Sequence, residues 1–180
     1  MKIGIDANEA NVISRVGISE YAFQILTKLY EFKKDGITNH TFVIYLKSKP
    51  LKSLPQETEW WRYKVVGPKK MWTQFALPLN LFVSKPKPDV FLTLTHYVPR
   101  FSKVPTIVSV MDLSFLHFPQ TFKKKDLYKL SKWTKYSVRK AVRVITISQS
   151  SKDDIIKAYK ILPEKIKVIH LGLKEVLSIK

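Results

Sequence analysis

The chain contains no cysteine, which excludes disulfide staples, thiolate metal sites and thiol nucleophiles together. Histidine is scarce too: the four residues, His40, His96, His117 and His170, are too scattered to suggest a histidine-rich metal centre. Only five glycines occur in 180 residues, and near the amino-terminus only Gly4 and Gly17, so the glycine fingerprints that cradle dinucleotides or nucleoside triphosphates are missing. The most apolar stretch, 75–83, is interrupted by Pro78 and Asn80 and falls far short of the ~20 residues that span a bilayer. Residues 1–6 read as a strand, not as a charged head with an apolar run, so no secretory signal is expected and the cytoplasm is the expected compartment. The last shortage is of acid: 14 Asp and Glu face 32 Lys and Arg, a formal charge of +18. An acidic partner follows as an expectation, whether nucleic acid, anionic lipid or a phosphorylated small molecule.

What is present is an ordinary globular composition, 45% hydrophobic and 26% charged, in a chain long enough for one well-packed core. Short β-rich runs alternate with helical patterns throughout. Strands are predicted at 2–6, 41–46, 63–66, 89–94, 105–111, 143–147 and 167–170. Helices are predicted from residue 18 to about 34, over 71–83, over 124–141 and over 150–159. Strands apolar on both faces and separated by helices indicate a parallel sheet covered on both sides. The predicted fold is a Rossmann-like α/β sandwich, with residues 1–180 forming one domain.

Ligands of such sheets bind beyond the carboxyl ends of the strands. That rule selects the loops 6–17, 95–103, 112–119 and 148–151. Gly17 opens a helix, either as an anion-facing turn or as a merely permissive one. His96 follows a buried strand and serves either as a structural hydrogen-bonding group or as a group facing the crevice. Asp112 directly follows another strand; its carboxylate either emerges at the ligand end or caps the next turn with Ser114. Ser148 is placed in the crevice, with Ser151 and Asp154 three residues on resembling a capping box.

The charge is uneven. Residues 1–45 hold five positive and five negative side chains, whereas 120–143 hold nine and one. Lys125, Lys129, Lys132, Arg139 and Arg143 share one face of the predicted long helix, opposite Leu127, Leu130, Thr134, Val138 and Ala141. Trp133 and Tyr136 between them suit an interfacial anchor, which makes contact with an anionic membrane surface one reading and a solvated lysine face the other. No helix-turn-helix, finger or aromatic RNA-binding pair accompanies the charge, so no specific nucleic-acid partner is expected.

In order along the chain, the segments 1–7, 15–21, 89–99, 111–119, 144–155 and 163–172 resemble the amino-terminal half of the group 1 (family 4) glycosyltransferases. These are retaining enzymes with two Rossmann-like domains facing a cleft. The resemblance rests on the opening strand, the Val16-Gly17-Ile18 turn, the His96 loop, the Asp112-Leu113 turn, the strand leading to Ser148, and Pro163-Glu164-Lys165-Ile166-Lys167-Val168. It implies an acceptor-side domain of an enzyme that moves a sugar from a nucleotide-sugar donor to a glycan or lipid-linked acceptor, as in polysaccharide biosynthesis.

The same resemblance assigns His96 and Asp112 to the reacting centre, Gly17 and Ser148 to the cleft lining, and no metal or cofactor besides the nucleotide-sugar co-substrate. Met111 stands where many members carry histidine. The donor half would hold the nucleotide sugar through basic residues and two glutamates eight positions apart. None of the seven Glu here has that spacing, so a carboxyl-terminal donor-binding domain is expected to be absent. A fragment or split subunit with little activity alone is therefore expected, with a separate donor-binding domain as its partner. The alternative is a non-enzymatic Rossmann-like module that binds anionic membrane or glycan through its basic helix, peripheral to the inner face of a membrane.

Overall fold

The computed structural model describes residues 1–172. Seven strands form one sheet in the order β3-β2-β1-β4-β5-β6-β7, every neighbouring pair parallel. The elements along the chain are β1 (Lys2–Asp6), α1 (Ile18–Lys34), β2 (Thr41–Leu46), β3 (Trp61–Val65), α2 (Ala76–Val83), β4 (Val90–Thr93) and β5 (Thr106–Ser109). Then come α3 (Ser114–His117), α4 (Lys124–Lys140), β6 (Arg143–Thr146), α5 (Gln149–Tyr159) and β7 (Ile166–Val168). The expected Rossmann-like α/β fold is what forms.

Alternation along the strands sorts the core into two sides. Ile5, Phe42, Ile44, Leu46 and Trp61 pack with Ala22 and Leu26 of α1. The intervening Tyr45, with Phe91, meets Leu77 and Leu81 of α2 on the other face. Register carries that second face across the sheet, from Thr93 to Val108, Val144 and Ile166. There Val138 of α4 and Ile155 of α5 complete it. Helix α4 is held by the apolar stripe that its sequence spacing predicts, Leu127, Leu130, Val138 and Ala141.

Two helix boundaries have local causes. Helix α2 starts at Ala76, not at residue 71, because Met71 takes φ 51, a left-handed conformation that an α-helix cannot contain. Its neighbour Trp72 is buried and donates its indole N–H to the Val66 carbonyl at 2.9 Å. Helix α5 starts where the Ser148 hydroxyl accepts from the Ser151 amide, and stops at Lys160, which is left-handed with φ 54. At the other edge, β7 begins one residue earlier than predicted and ends at Val168.

Candidate functional site

The carboxyl ends of β1, β4, β5 and β6 converge on one crevice. At the end of β1 the Asp6 carboxylate is buried, and its Oδ1 accepts from the Asn8 backbone and side-chain amides at 3.2 and 2.6 Å. Burial pushes its pKa up to about 6 against those hydrogen bonds and the Lys47 charge. The loop that follows is pinned by Arg15, which donates to the Ala10 carbonyl at 2.9 Å and to the Ser53 hydroxyl at 2.6 Å. Its guanidinium also lies 4.0 Å from the Phe23 ring centre. The loop thereby delivers Gly17, with φ 52, to the start of α1, where no side chain caps the helix. One turn on, the Tyr21 hydroxyl meets that of Ser109 at 3.2 Å and ties α1 to the end of β5.

Strand β4 delivers His96. The buried Thr93 hydroxyl donates to the Tyr97 carbonyl at 2.9 Å and folds the loop back over the strand end. The His96 ring sits beside Tyr97 and Phe115, and its Nδ1 is buried without a partner among the described residues. Burial lowers its pKa to about 4, opposed by the Asp112 charge. At neutral pH the ring is therefore uncharged, with one nitrogen to donate and one to accept. Asp112 is exposed, and its Oδ1 accepts from the Ser114 amide at 2.8 Å, so it caps the turn into α3 while lining the crevice.

Gly17, His96 and Asp112 come together with Tyr21, Met111 and Phe115 around one cavity of about 510 Å³. Ser148 does not join them: Ile147 lines the cavity, while the Ser148 hydroxyl caps α5 and donates to Ser151 at 3.0 Å. The expected Ser151–Asp154 capping box is thus replaced by a Ser148 cap, and Asp154 bonds His117 at 2.8 Å instead. Among the described residues no cluster of His, Asp and Glu suits a metal ion.

A second cavity, of about 680 Å³, adjoins the first and shares Glu9, Thr95 and Tyr97 with it. Lys47, Lys69, Lys70, Lys125 and Lys129 line it together with Trp72 and Trp133. On α4, Lys125 and Lys129 border this cavity, and Lys125, Lys132 and Arg139 are exposed. Trp133 and Tyr136 are not free anchors either. Trp133 packs edge-on against Tyr97 at 5.4 Å, and the Tyr136 hydroxyl accepts from the Phe101 amide at 3.3 Å. The sequence reading missed Lys47, Lys69 and Lys70, although the strand-end rule applied to β2 and β3 points to the loops that carry them.

A family model for Glycosyltransferase Family 4 matches residues 43–175. The chain belongs to that family. Among solved structures, Anabaena Alr3699/HepE in complex with UDP-glucose is similar, with a TM-score of 0.56 and 17% identity over 96% of this chain and 44% of that one. The same Anabaena protein in complex with UDP and glucose gives a TM-score of 0.55 at 16% identity, with the same coverage. This family 4 chain therefore spans less than half the length of that neighbour, and the likeness establishes the fold. No curated protein matches the sequence. No helix among the described residues is long and apolar enough to cross a membrane.

Proposed function

We propose that this chain is the acceptor-side domain of a glycosyltransferase that moves a sugar from a nucleotide-sugar donor to a hydroxyl of a glycan or lipid-linked acceptor. The observation that carries the reading is the unpartnered, buried Nδ1 of a neutral His96 in a crevice that also holds Asp112 and the Gly17 turn. A buried polar atom without a partner costs free energy, and a substrate hydroxyl would satisfy it. Family membership and the nucleotide sugar bound by the Anabaena neighbour support the donor class.

In this reading His96 orients the acceptor hydroxyl, and Asp112 supplies the charge that favours a proton near the imidazole. The transition state has oxocarbenium character, with negative charge on the departing phosphate. The amino-terminus of α1 at Gly17 offers backbone dipole to that charge. Most of the phosphate clamp belongs to a donor-binding domain opposite, so the chain alone turns over little. Met111 lines the crevice without a strong hydrogen-bonding group, which leaves His96 and Asp112 to make the polar contacts. Cytoplasmic placement belongs to the same proposal.

The test joins the chain to a donor-binding domain, in one polypeptide or as a mixture, and follows nucleoside diphosphate release over a nucleotide-sugar panel. Transfer is expected, with turnover reduced about a hundredfold or more in His96→Ala and Asp112→Asn variants that keep the wild-type circular dichroism. Absence of any transfer or hydrolysis, or full activity in both variants, would overturn the assignment. The non-enzymatic reading, binding through the basic face of α4, has less support because Lys125 and Lys129 border the second cavity.

A further inference from the structure

Helix α2 is apolar on both sides. Ala76, Leu77 and Leu81 enter the core, while Phe75, Leu79, Phe82 and Val83 point outward, each 60–64% exposed. Their spacing of four, three and one puts all four on a single outer stripe. Phe101, 79% exposed, extends the patch through the groove that Phe82 and Phe101 line together. Exposed singly such residues are unremarkable, but five large ones gathered together mark an interaction surface.

Position and charge decide the partner. The lower end of the patch adjoins Pro88 and Pro105, which precede β4 and β5, at the end of the sheet opposite the crevice. A domain facing the crevice would leave that end uncovered. Exposed Lys87 and Lys103 line that groove with Phe82 and Phe101, and exposed Lys85 follows the helix two residues after Val83. The Lys87 ammonium lies 5.1 Å from the Phe82 ring centre. Between residues 60 and 111 the sequence has one acidic residue, Asp89, and its carboxylate accepts from the Lys2 amide at 2.7 Å. An apolar stripe rimmed by lysines and nearly free of carboxylates complements an anionic lipid surface: apolar side chains enter the acyl boundary while ammonium groups meet headgroups.

We infer that the outer face of α2, with Phe101, docks this chain on an anionic bilayer, and that α4 does not. The docking is independent of the transferase reading, since no sugar enters its test. The full chain is sedimented with vesicles of phosphatidylcholine alone or mixed with phosphatidylglycerol, at low and high salt. Binding to the mixed vesicles is expected, weakened by salt and absent with phosphatidylcholine alone. The double variant Leu79→Ser/Phe82→Ser should lose about tenfold or more of the binding, and each of Lys87→Glu and Lys103→Glu about fivefold. Lys132→Glu/Arg139→Glu on α4 should bind like the wild type. As a second readout, Phe82→Trp should become quenched by brominated lipid beyond the wild-type level. Equal binding by the α2 variants, or loss of binding in the α4 variant, would overturn the inference. So would self-association through the same residues, seen by light scattering, without vesicle binding.

Discussion

Gly4 and Phe91 occupy one space: a β-carbon built on Gly4 would lie 2.7 Å from Phe91 Cδ2 and 3.0 Å from Pro88 Cγ. The Phe91 ring, from β4, lies over β1 at Gly4 on the α2 side, edge-on to Tyr45 at 5.5 Å, and is fully buried. It has nowhere to retreat. Gly4→Ala is therefore expected to cost about 1–3 kcal/mol through overpacking. Urea denaturation should show a lower midpoint at unchanged slope. An unchanged midpoint would mean that the ring yields easily.

Asp6 and His96 oppose each other in pH dependence. Burial raises Asp6 from 3.8 to about 6, so its contribution is fully present below pH 3.8 and is lost as pH rises through 6. His96 falls from 6.5 to about 4, so its contribution is present above pH 6.5 and is lost as pH falls through 4. Between pH 4 and 6 the two slopes have opposite sign and partly cancel. Asp6→Asn should make the protein lose stability more steeply toward acid, and His96→Gln should do the reverse. Stability curves measured from pH 4 to 7 that run parallel for both variants and the wild type would contradict these environments.

Ser148→Ala removes the α5 cap and should lower stability by about 1 kcal/mol. Because Ser148 does not line the cavity, turnover by the chain paired with a donor-binding domain should stay at the wild-type level below the melting temperature. A large activity loss without a stability loss would return Ser148 to the crevice.

Thr93 acts on the site through the loop that it folds back. Thr93→Val keeps the strand-compatible shape and deletes the hydroxyl, at a cost of about 1 kcal/mol or somewhat more. Turnover should fall with it. As the readout specific to positioning, the His96 imidazole, followed by NMR titration, should move from its depressed pKa toward the ordinary value. A His96 titration identical to wild type would show that the hydroxyl only stabilises the strand end.

Local pattern carried much of the fold. The predicted helix 124–141 is α4 almost residue for residue, because its apolar stripe repeats for four turns. The β2 run of Phe, Val, Ile and Tyr could hardly be anything but a buried strand. The start of α2 was not readable, since Met71 is held left-handed beside a tryptophan anchored to residue 66. Gly17, His96 and Asp112 line one cavity because the loops at the strand ends are brought together by topology. Ser148 was misplaced because its hydroxyl is satisfied locally by α5, a competition that the sequence displays without resolving. The wheel of α4 grouped its lysines correctly but could not reveal that the Tyr97–Phe101 loop would claim Trp133 and Tyr136.

Because Glu9, Thr95 and Tyr97 line both cavities, their adjacency becomes a measurement. A molecule small enough for one chamber ignores the other. One that occupies both would lie along these shared residues, with one end among aromatic and apolar groups near His96 and the other among five lysines and the carboxyl groups of Asp6 and Asp126. Such a layout would grade a ligand seated in both by length as well as by chemistry, as a ruler does: the distance from its hydroxyl to its anionic end would decide whether both ends fit at once.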